Sequence, residues 1–178
     1  MLLTDSALTE ALAQVKLAIF DVDGVLTDGR LYYDNQGNEF KAFHAHDGHG
    51  MKQLQQAGIP IAIITARHSH LVAKRMSDLG ITYVFQGARD KGTVYQHLIT
   101  ELAIQDQNVC YVGDDLLDLP VMMRCGLAIS VPSAYDAVKD RAHYITHAAA
   151  GAGAAREVCD LILSAQGKLE ALITQYLR

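Results

Sequence analysis

Short apolar runs alternate with longer stretches of helical periodicity along almost the whole chain. The runs are Leu17-Ala-Ile-Phe20, Ile59-Pro-Ile-Ala-Ile-Ile64, Tyr83-Val-Phe85, Val109-Cys-Tyr-Val112, Leu127-Ala-Ile-Ser-Val131 and Tyr144-Ile145. None alternates strictly between apolar and polar, the pattern of strands covered on both faces. Between them, residues 48–57, 68–79, 91–104, 116–125 and 134–141 carry helical spacing; Val94, Leu98 and Leu102, for example, fall on one face. Strand and helix in regular alternation build right-handed βαβ units. The pattern therefore predicts an α/β fold: a Rossmann-like, doubly wound parallel sheet of six strands with helices on both faces.

One segment breaks the rhythm. Arg30-Leu-Tyr-Tyr-Asp34 and Glu39-Phe-Lys-Ala-Phe43 are β-prone and flank Asn35-Gln-Gly-Asn38, whose Asn and Gly tolerate positive φ. This predicts a β-hairpin flap, about residues 30–43, projecting from the first strand-to-helix connection. The last segment, 154–178, reads as a helix and tail that break or bend near Gly167. With no internal repeat, low-complexity stretch or Pro-rich linker, residues 1–178 read as a single domain.

Composition narrows the function. The chain has 178 residues, 50% hydrophobic and 20% charged, enough for one core that needs no disulfide or structural metal. A net charge of −5 and the lack of any dense Lys/Arg block argue against nucleic acid or an anionic membrane as partner. Cys110, Cys125 and Cys159 are odd in number and widely spaced, which reads as reduced core thiols in a cytoplasmic protein. Neither a basic n-region before an apolar stretch nor a run long enough to span a bilayer is found, so a soluble protein is expected.

In an open parallel sheet, ligands bind beyond the carboxyl ends of the strands. Asp21 and Asp23 follow the first run, Thr65 and Arg67 the second, and Gly113, Asp114 and Asp115 the fourth, while Lys91 opens the helix after the third. Singly, each has a plain structural use: an Asp-x-Asp before Gly is an ordinary strand exit, and Asp114 and Asp115 could cap a helix. Together they place carboxylates, a hydroxyl and an ammonium around one crevice. Converging carboxylates repel unless a cation sits among them, and carboxylate with backbone oxygen suits Mg²⁺.

These motifs carry a resemblance. Asp21-Val-Asp-Gly-Val-Leu-Thr-Asp28, Thr65, Lys91 and Gly113-Asp-Asp-Leu-Leu-Asp118 occur in the order and spacing of the haloacid dehalogenase superfamily of phosphotransferases. The longer string through Gly29, the hairpin, the chain length and the element Ala150-Gly-Ala-Gly-Ala-Ala-Arg-Glu157 are similar to those of 3-deoxy-D-manno-octulosonate 8-phosphate phosphatases. Ala66 and Ala150 stand where that family usually has Gly. The resemblance implies a Mg²⁺-dependent phosphatase of a sugar acid phosphate in lipopolysaccharide precursor synthesis. Asp21 would be the nucleophile, forming an aspartyl phosphate, and Asp23 the acid and base. Mg²⁺ would lie between the Asp21 carboxylate, the Asp23 backbone oxygen and Asp114. Thr65 and Lys91 would bind phosphoryl oxygens, with Asp115 and Asp118 supporting at the helix start.

For the rest of the substrate, His44, Ala45, His46, Asp47 and Gly48 return from the hairpin toward the strand ends, with Lys52 one turn beyond. Arg67 and Arg75, eight residues apart on one helical face, could meet an anionic group. His44, His46 and His49 also raise a zinc site, which a loop position with no nearby cysteine disfavours. The alternatives are a related phosphatase or phosphomutase with another substrate, and a receiver-like phosphoacceptor module. In such a module the phosphorylated Asp follows the third strand, where this chain has Phe85-Gln-Gly-Ala88 and no acid. A structural role for the fold is a third alternative. Many relatives carry a separate cap domain, and this chain has room only for the hairpin. Its Leu31, Tyr32, Tyr33, Phe40 and Phe43 would be exposed on a monomer, so a homo-oligomer is expected, with the likeness pointing to a tetramer. A neighbour's hairpin or its tail at 175–178 would complete the lid.

Overall fold

The computed structural model describes residues 2–177. Six strands form one parallel sheet: β1 (Leu17–Phe20), β4 (Ile61–Ile64), β5 (Tyr83–Phe85), β6 (Val109–Val112), β7 (Leu127–Ser130) and β8 (Tyr144–Ile145). Their order is β5-β4-β1-β6-β7-β8, every pair parallel, and β2 (Tyr32–Tyr33) and β3 (Glu39–Phe40) form a separate antiparallel hairpin. From β1 the chain builds outward through β4 to β5, then returns to lay β6 on the other side of β1. The two halves part between β1 and β6, the switch point where open sheets of this kind leave a crevice.

Strand side chains point alternately to two faces, and both are buried. Ala18, Phe20, Ile61 and Ile63 join a core with Met51 and Leu54 of α2 (Ala45–Gln56), Val72 and Met76 of α3 (His70–Leu79), and Val158, Cys159 and Ile162 of α7 (Ala154–Ala165). Leu17, Ile19, Ala62 and Ile64 join a second core with Tyr95 and Leu98 of α4 (Lys91–Glu101), Val121 of α5 (Leu119–Met122) and Val138 of α6 (Asp136–Lys139). That two-sided burial is why the runs lack alternation. The three cysteines are free and buried, and burial pushes the Cys125 thiol up to about 12 and Cys110 well above its ordinary value.

Several element boundaries depart from expectation. A helix α1 (Asp5–Ala13), capped by Thr4, precedes β1 where no element was predicted. The hairpin ladder holds only two residues per strand, because its Tyr33 and Phe40, 55% and 56% exposed, pack on no second layer. The expected helix at 116–125 is a 3₁₀ turn, Leu116–Asp118, followed by the four-residue α5, since the Asp118 side chain turns back to bind backbone instead of lying on a helix face. α4 stops at Glu101, short of Ile104, as Ala103 takes a positive φ of 51°. The break near Gly167 is present, with φ 66°, between α7 and α8 (Leu169–Thr174). Residues 175–177 form a 3₁₀ turn in which Tyr176 packs edge-on against His49 of α2; Arg178, the last residue of the expected tail, lies outside the described residues. No helix among the described residues is long and apolar enough to cross a membrane.

Candidate active site

A cleft of about 300 Å³ opens over the switch point, lined by Asp21, Asp23, Gly29, Leu31, Thr65, Ala66, Arg67, Lys91, Asp114, Asp115, Leu117 and Asp118. Asp21 leaves β1 with its N–H bonded to the Val112 carbonyl at 3.0 Å, which sets it beside the exit of β6. There the chain turns through Gly24 at φ 92°, and a Cβ on that glycine would fall 2.1 Å from Asp114 Oδ2. Only glycine lets the two acidic loops approach this closely. Val25 in turn accepts a 3.0 Å hydrogen bond from the Gly151 N–H, tying the loop to the segment before α7.

Asp118 organises the floor of the cleft. Fully buried, it accepts at Oδ1 from Lys91 Nζ (2.7 Å) and the Tyr111 hydroxyl (2.6 Å), and at Oδ2 from the N–H groups of Asp114 (2.9 Å) and Asp115 (3.0 Å). Lys91 Nζ also lies 3.0 Å from Asp21 Oδ1, as an ion pair without hydrogen-bond alignment. Burial works against the ammonium, yet Asp21 and Asp118 together raise its pKa above the usual lysine value. Asp115 is exposed and caps the 3₁₀ turn through Leu116 N–H.

Asp21 and Asp114 are held at an electrostatic cost. Burial first, and the charge of Asp118 second, push the Asp21 carboxyl up to about 7, with Lys91 opposing; burial and the charges of Asp21, Asp118 and Asp115 push Asp114 up to about 8. Asp21 Oδ1 and Asp114 Oδ1 are buried with no hydrogen-bond partner. Among the described residues, Asp21, Asp114 and Asp118 form the one group of His, Cys, Asp and Glu able to bring ligand oxygens within 4.8 Å of each other. Since both oxygens of Asp118 are already committed to donors, Asp21 and Asp114 are the pair that fits a divalent cation. An all-oxygen donor set of this kind is what hard cations take.

Of the other residues singled out from the sequence, Thr65 is buried at the end of β4 and Ala66 and Arg67 line the same cleft. Arg67 precedes α3 rather than sharing a helical face with Arg75. Its Nη2 binds Glu39 (2.8 Å) and the Tyr33 hydroxyl (3.0 Å), and its Nε lies 3.7 Å from Asp23 Oδ2. His44, Ala45, His46, Asp47, Gly48, Lys52 and Arg75 do not line the cleft. His44, Asp47, Gly48 and Arg75 instead surround a small pocket with Leu26, Phe43 and Met51, while Ala45, His46 and Lys52 are exposed on α2. Asp47 is buried and accepts from the Arg156 N–H at 2.8 Å, and Arg75 stacks over Phe43 at 5.9 Å. Three functional positions escaped the sequence reading: Tyr111, which looked like any residue of an apolar strand, and Glu39 and Lys41 of the hairpin. Lys41 forms an ion pair with Asp23, and its alternation with exposed Phe40 was the signal available.

Comparison with known proteins gives the family and the fold. A family model for haloacid dehalogenase-like hydrolases matches residues 83–158. The 3-deoxy-D-manno-octulosonate 8-phosphate phosphatase of Escherichia coli K12 is 49% identical over 156 residues, 88% of this chain and 83% of that protein. The crystal structure of the phosphatase of the same name from Yersinia pestis superposes with a TM-score of 0.91 at 46% identity, covering 92% of this chain and 89% of that one. That from Moraxella catarrhalis, in complex with a magnesium ion, a phosphate ion and KDO, superposes at 0.95 with 40% identity, covering 97% and 99%.

Proposed function

Because the chain belongs to the 3-deoxy-D-manno-octulosonate 8-phosphate phosphatases of the haloacid dehalogenase-like hydrolases, we propose a division of labour among its cleft residues for that reaction. The protein is a phosphoric monoester hydrolase whose substrate is this sugar acid phosphate and whose cofactor is Mg²⁺. The observation that carries the assignment is the pair of buried carboxylate oxygens of Asp21 and Asp114 that accept no hydrogen bond, with Lys91 ion-paired to Asp21 beside them. In this reading Asp21 attacks phosphorus and becomes an aspartyl phosphate as the bond to the sugar oxygen breaks. Asp23 gives its proton to the departing alkoxide, then takes one from the water that hydrolyses the phosphoenzyme. Thr65 and Lys91 hold the phosphoryl oxygens where negative charge gathers. Held by Asp21, Asp114 and the Asp23 backbone oxygen, Mg²⁺ supplies charge neutralisation and orientation of the phosphoryl group. Asp118 and Asp115 support that floor without touching substrate.

Arg67 is the cleft residue suited to a second anionic group such as the sugar carboxylate. His44, Ala45, His46, Asp47, Gly48, Lys52 and Arg75 lie off the cleft of their own chain. As substrate contacts, the exposed Ala45, His46 and Lys52 act where assembly sets a neighbour's cleft against them, whereas Asp47 and Gly48 are buried in their own chain and are closed to it. The exposed Leu31, Tyr32, Tyr33 and Phe40 support a homo-oligomer, a tetramer in this reading, with the hairpin at 30–43 as its flap. Residues 1–178 are taken as one domain working in the cytoplasm.

A phosphate-release screen over sugar phosphates, with Mg²⁺ present and then chelated, tests the function. The octulosonate 8-phosphate should be the preferred ester, with activity lost on chelation and restored by Mg²⁺. Equal rates with unrelated esters, or release unaffected by the chelator, would overturn it.

A further inference from the structure

Lys41 directly follows β3, in a hairpin that is otherwise exposed, yet its side chain is only 2% accessible. Successive residues of an extended strand point to opposite sides. Phe40 therefore faces out, while Glu39 and Lys41 turn toward Arg67 and Asp23 of the cleft wall. Lys41 Nζ binds Asp23 Oδ1 and lies 3.5 Å from Glu39 Oε1. Glu39 is anchored in its turn, by Arg67 Nη2 at Oε1 and by the Ser69 hydroxyl at Oε2, both at 2.8 Å. The second oxygen of Asp23 is different: among the described residues Oδ2 is buried and accepts no hydrogen bond, and Arg67 Nε lies 3.7 Å from it.

We infer that Lys41 is a positioning residue for proton transfer by Asp23: by occupying Oδ1 it stops the carboxylate from rotating and leaves Oδ2 as the oxygen that exchanges the proton. The inference rests on the reading of Asp23 as the acid and base. A long cationic side chain is buried only when paired, and Glu39 alone would serve to pair it. The pairing with Asp23 is what a merely structural lysine does not need. As phosphorus passes from the sugar oxygen to Asp21, the proton on Oδ2 goes to the alkoxide. In the second step water attacks phosphorus, returns a proton to Oδ2 and frees Asp21 and phosphate. Both transfers need Oδ2 held within hydrogen-bond reach, where a misplacement of about 1 Å costs on the order of 100-fold.

The test compares kcat/KM, which reports the phosphorylation step, for two esters. From the octulosonate phosphate the sugar leaves as an alkoxide that needs a proton; from p-nitrophenyl phosphate a stable phenolate leaves that does not. Lys41→Met should lower kcat/KM for the sugar ester by roughly 10- to 100-fold and for the aryl ester by much less, under about threefold. Lys41→Arg, which keeps a cation within reach, should recover the larger part of the loss. In an Asp23→Ala background Lys41→Met should add less than about twofold, because it acts through Asp23. Equal losses on the two esters, or a full additional loss in the Asp23→Ala background, would overturn the inference and make Lys41 a strut of the hairpin. Asp23→Ala alone separates the two ideas. If it spares neither ester, the acid and base reading fails and the inference with it; if it spares the aryl ester while Lys41→Met does not, only the inference fails. Should Lys41→Met not fold, Lys41→Gln, which still donates to Glu39, carries the same comparison.

Discussion

Replacing Asp118 by Asn changes almost no volume and should still cost several kcal/mol. Each carboxylate oxygen accepts two hydrogen bonds, Oδ1 from Lys91 and Tyr111 and Oδ2 from the backbone of Asp114 and Asp115. An amide has one accepting oxygen, so in either orientation its NH₂ faces two donors and two bonds to a charged acceptor are lost. At ~1.5–3 kcal/mol each, the loss is about 3–6 kcal/mol. Lys91 keeps Asp21 at 3.0 Å as a remaining partner, which favours the lower half, about 3–4 kcal/mol. For a chain of this length that corresponds to a fall in Tm of roughly 6–16 °C. Urea unfolding and calorimetry of the chelated protein at pH 7 measure it, with exposed Asp115→Asn as a comparison expected within about 1 kcal/mol. An Asp118→Asn protein within about 1 kcal/mol of the parent would refute the idea that this buried acceptor holds the cleft floor together.

Asp21→Asn should keep native circular dichroism and lose turnover altogether, because an amide is a poor nucleophile; substantial release of phosphate by the folded variant would remove Asp21 from that role. Asp114→Ala should raise the Mg²⁺ concentration needed for half activity, and an unchanged metal titration would shift the ligand role to Asp115. Arg67→Ala should hurt the sugar acid phosphate more than a small neutral phosphate ester, whereas equal losses would place Arg67 on the phosphate or in the hairpin clasp. The raised carboxyls of Asp21 and Asp114 release protons later in the folded than in the unfolded chain, so without metal their contribution to stability falls as pH rises from about 4 to about 8. Mg²⁺, which binds the ionised pair, should therefore raise the melting temperature more at pH 8.5 than at pH 6; equal shifts in a fluorescence melt would contradict this.

What could be read from the sequence was what strands announce locally. Apolar runs marked the sheet, and the polar residues just beyond each run marked the cleft, since the end of a parallel strand fixes where its next side chains sit. Partners that meet only through tertiary structure left no such mark. Asp118 looked like one more acid at a helix start, and its capture of Lys91, 27 residues earlier, depends on β6 lying next to β1. Lys41 meets Asp23 because the hairpin folds back over 18 residues of chain. The return from the hairpin likewise put His44 to Gly48 on a path toward the strand ends, but the buried Asp47 turns that segment toward α7.

The tie between Gly151 and Val25 has a consequence for how the protein is made. The loop that carries the reacting carboxylates is clasped by a segment synthesised about 125 residues later, and α2 packs most extensively on α7. Contacts of such sequence separation form late, after their loop entropy has been met. On the ribosome, β1 and its acidic loop emerge first, and the face that α7 covers stays open until α7 has followed. Closure of this loop therefore waits on that later segment: a nascent chain halted before residue 151 would carry Asp21, Lys91 and Asp114 without the hydrogen bond from Gly151 that ties the acidic loop down.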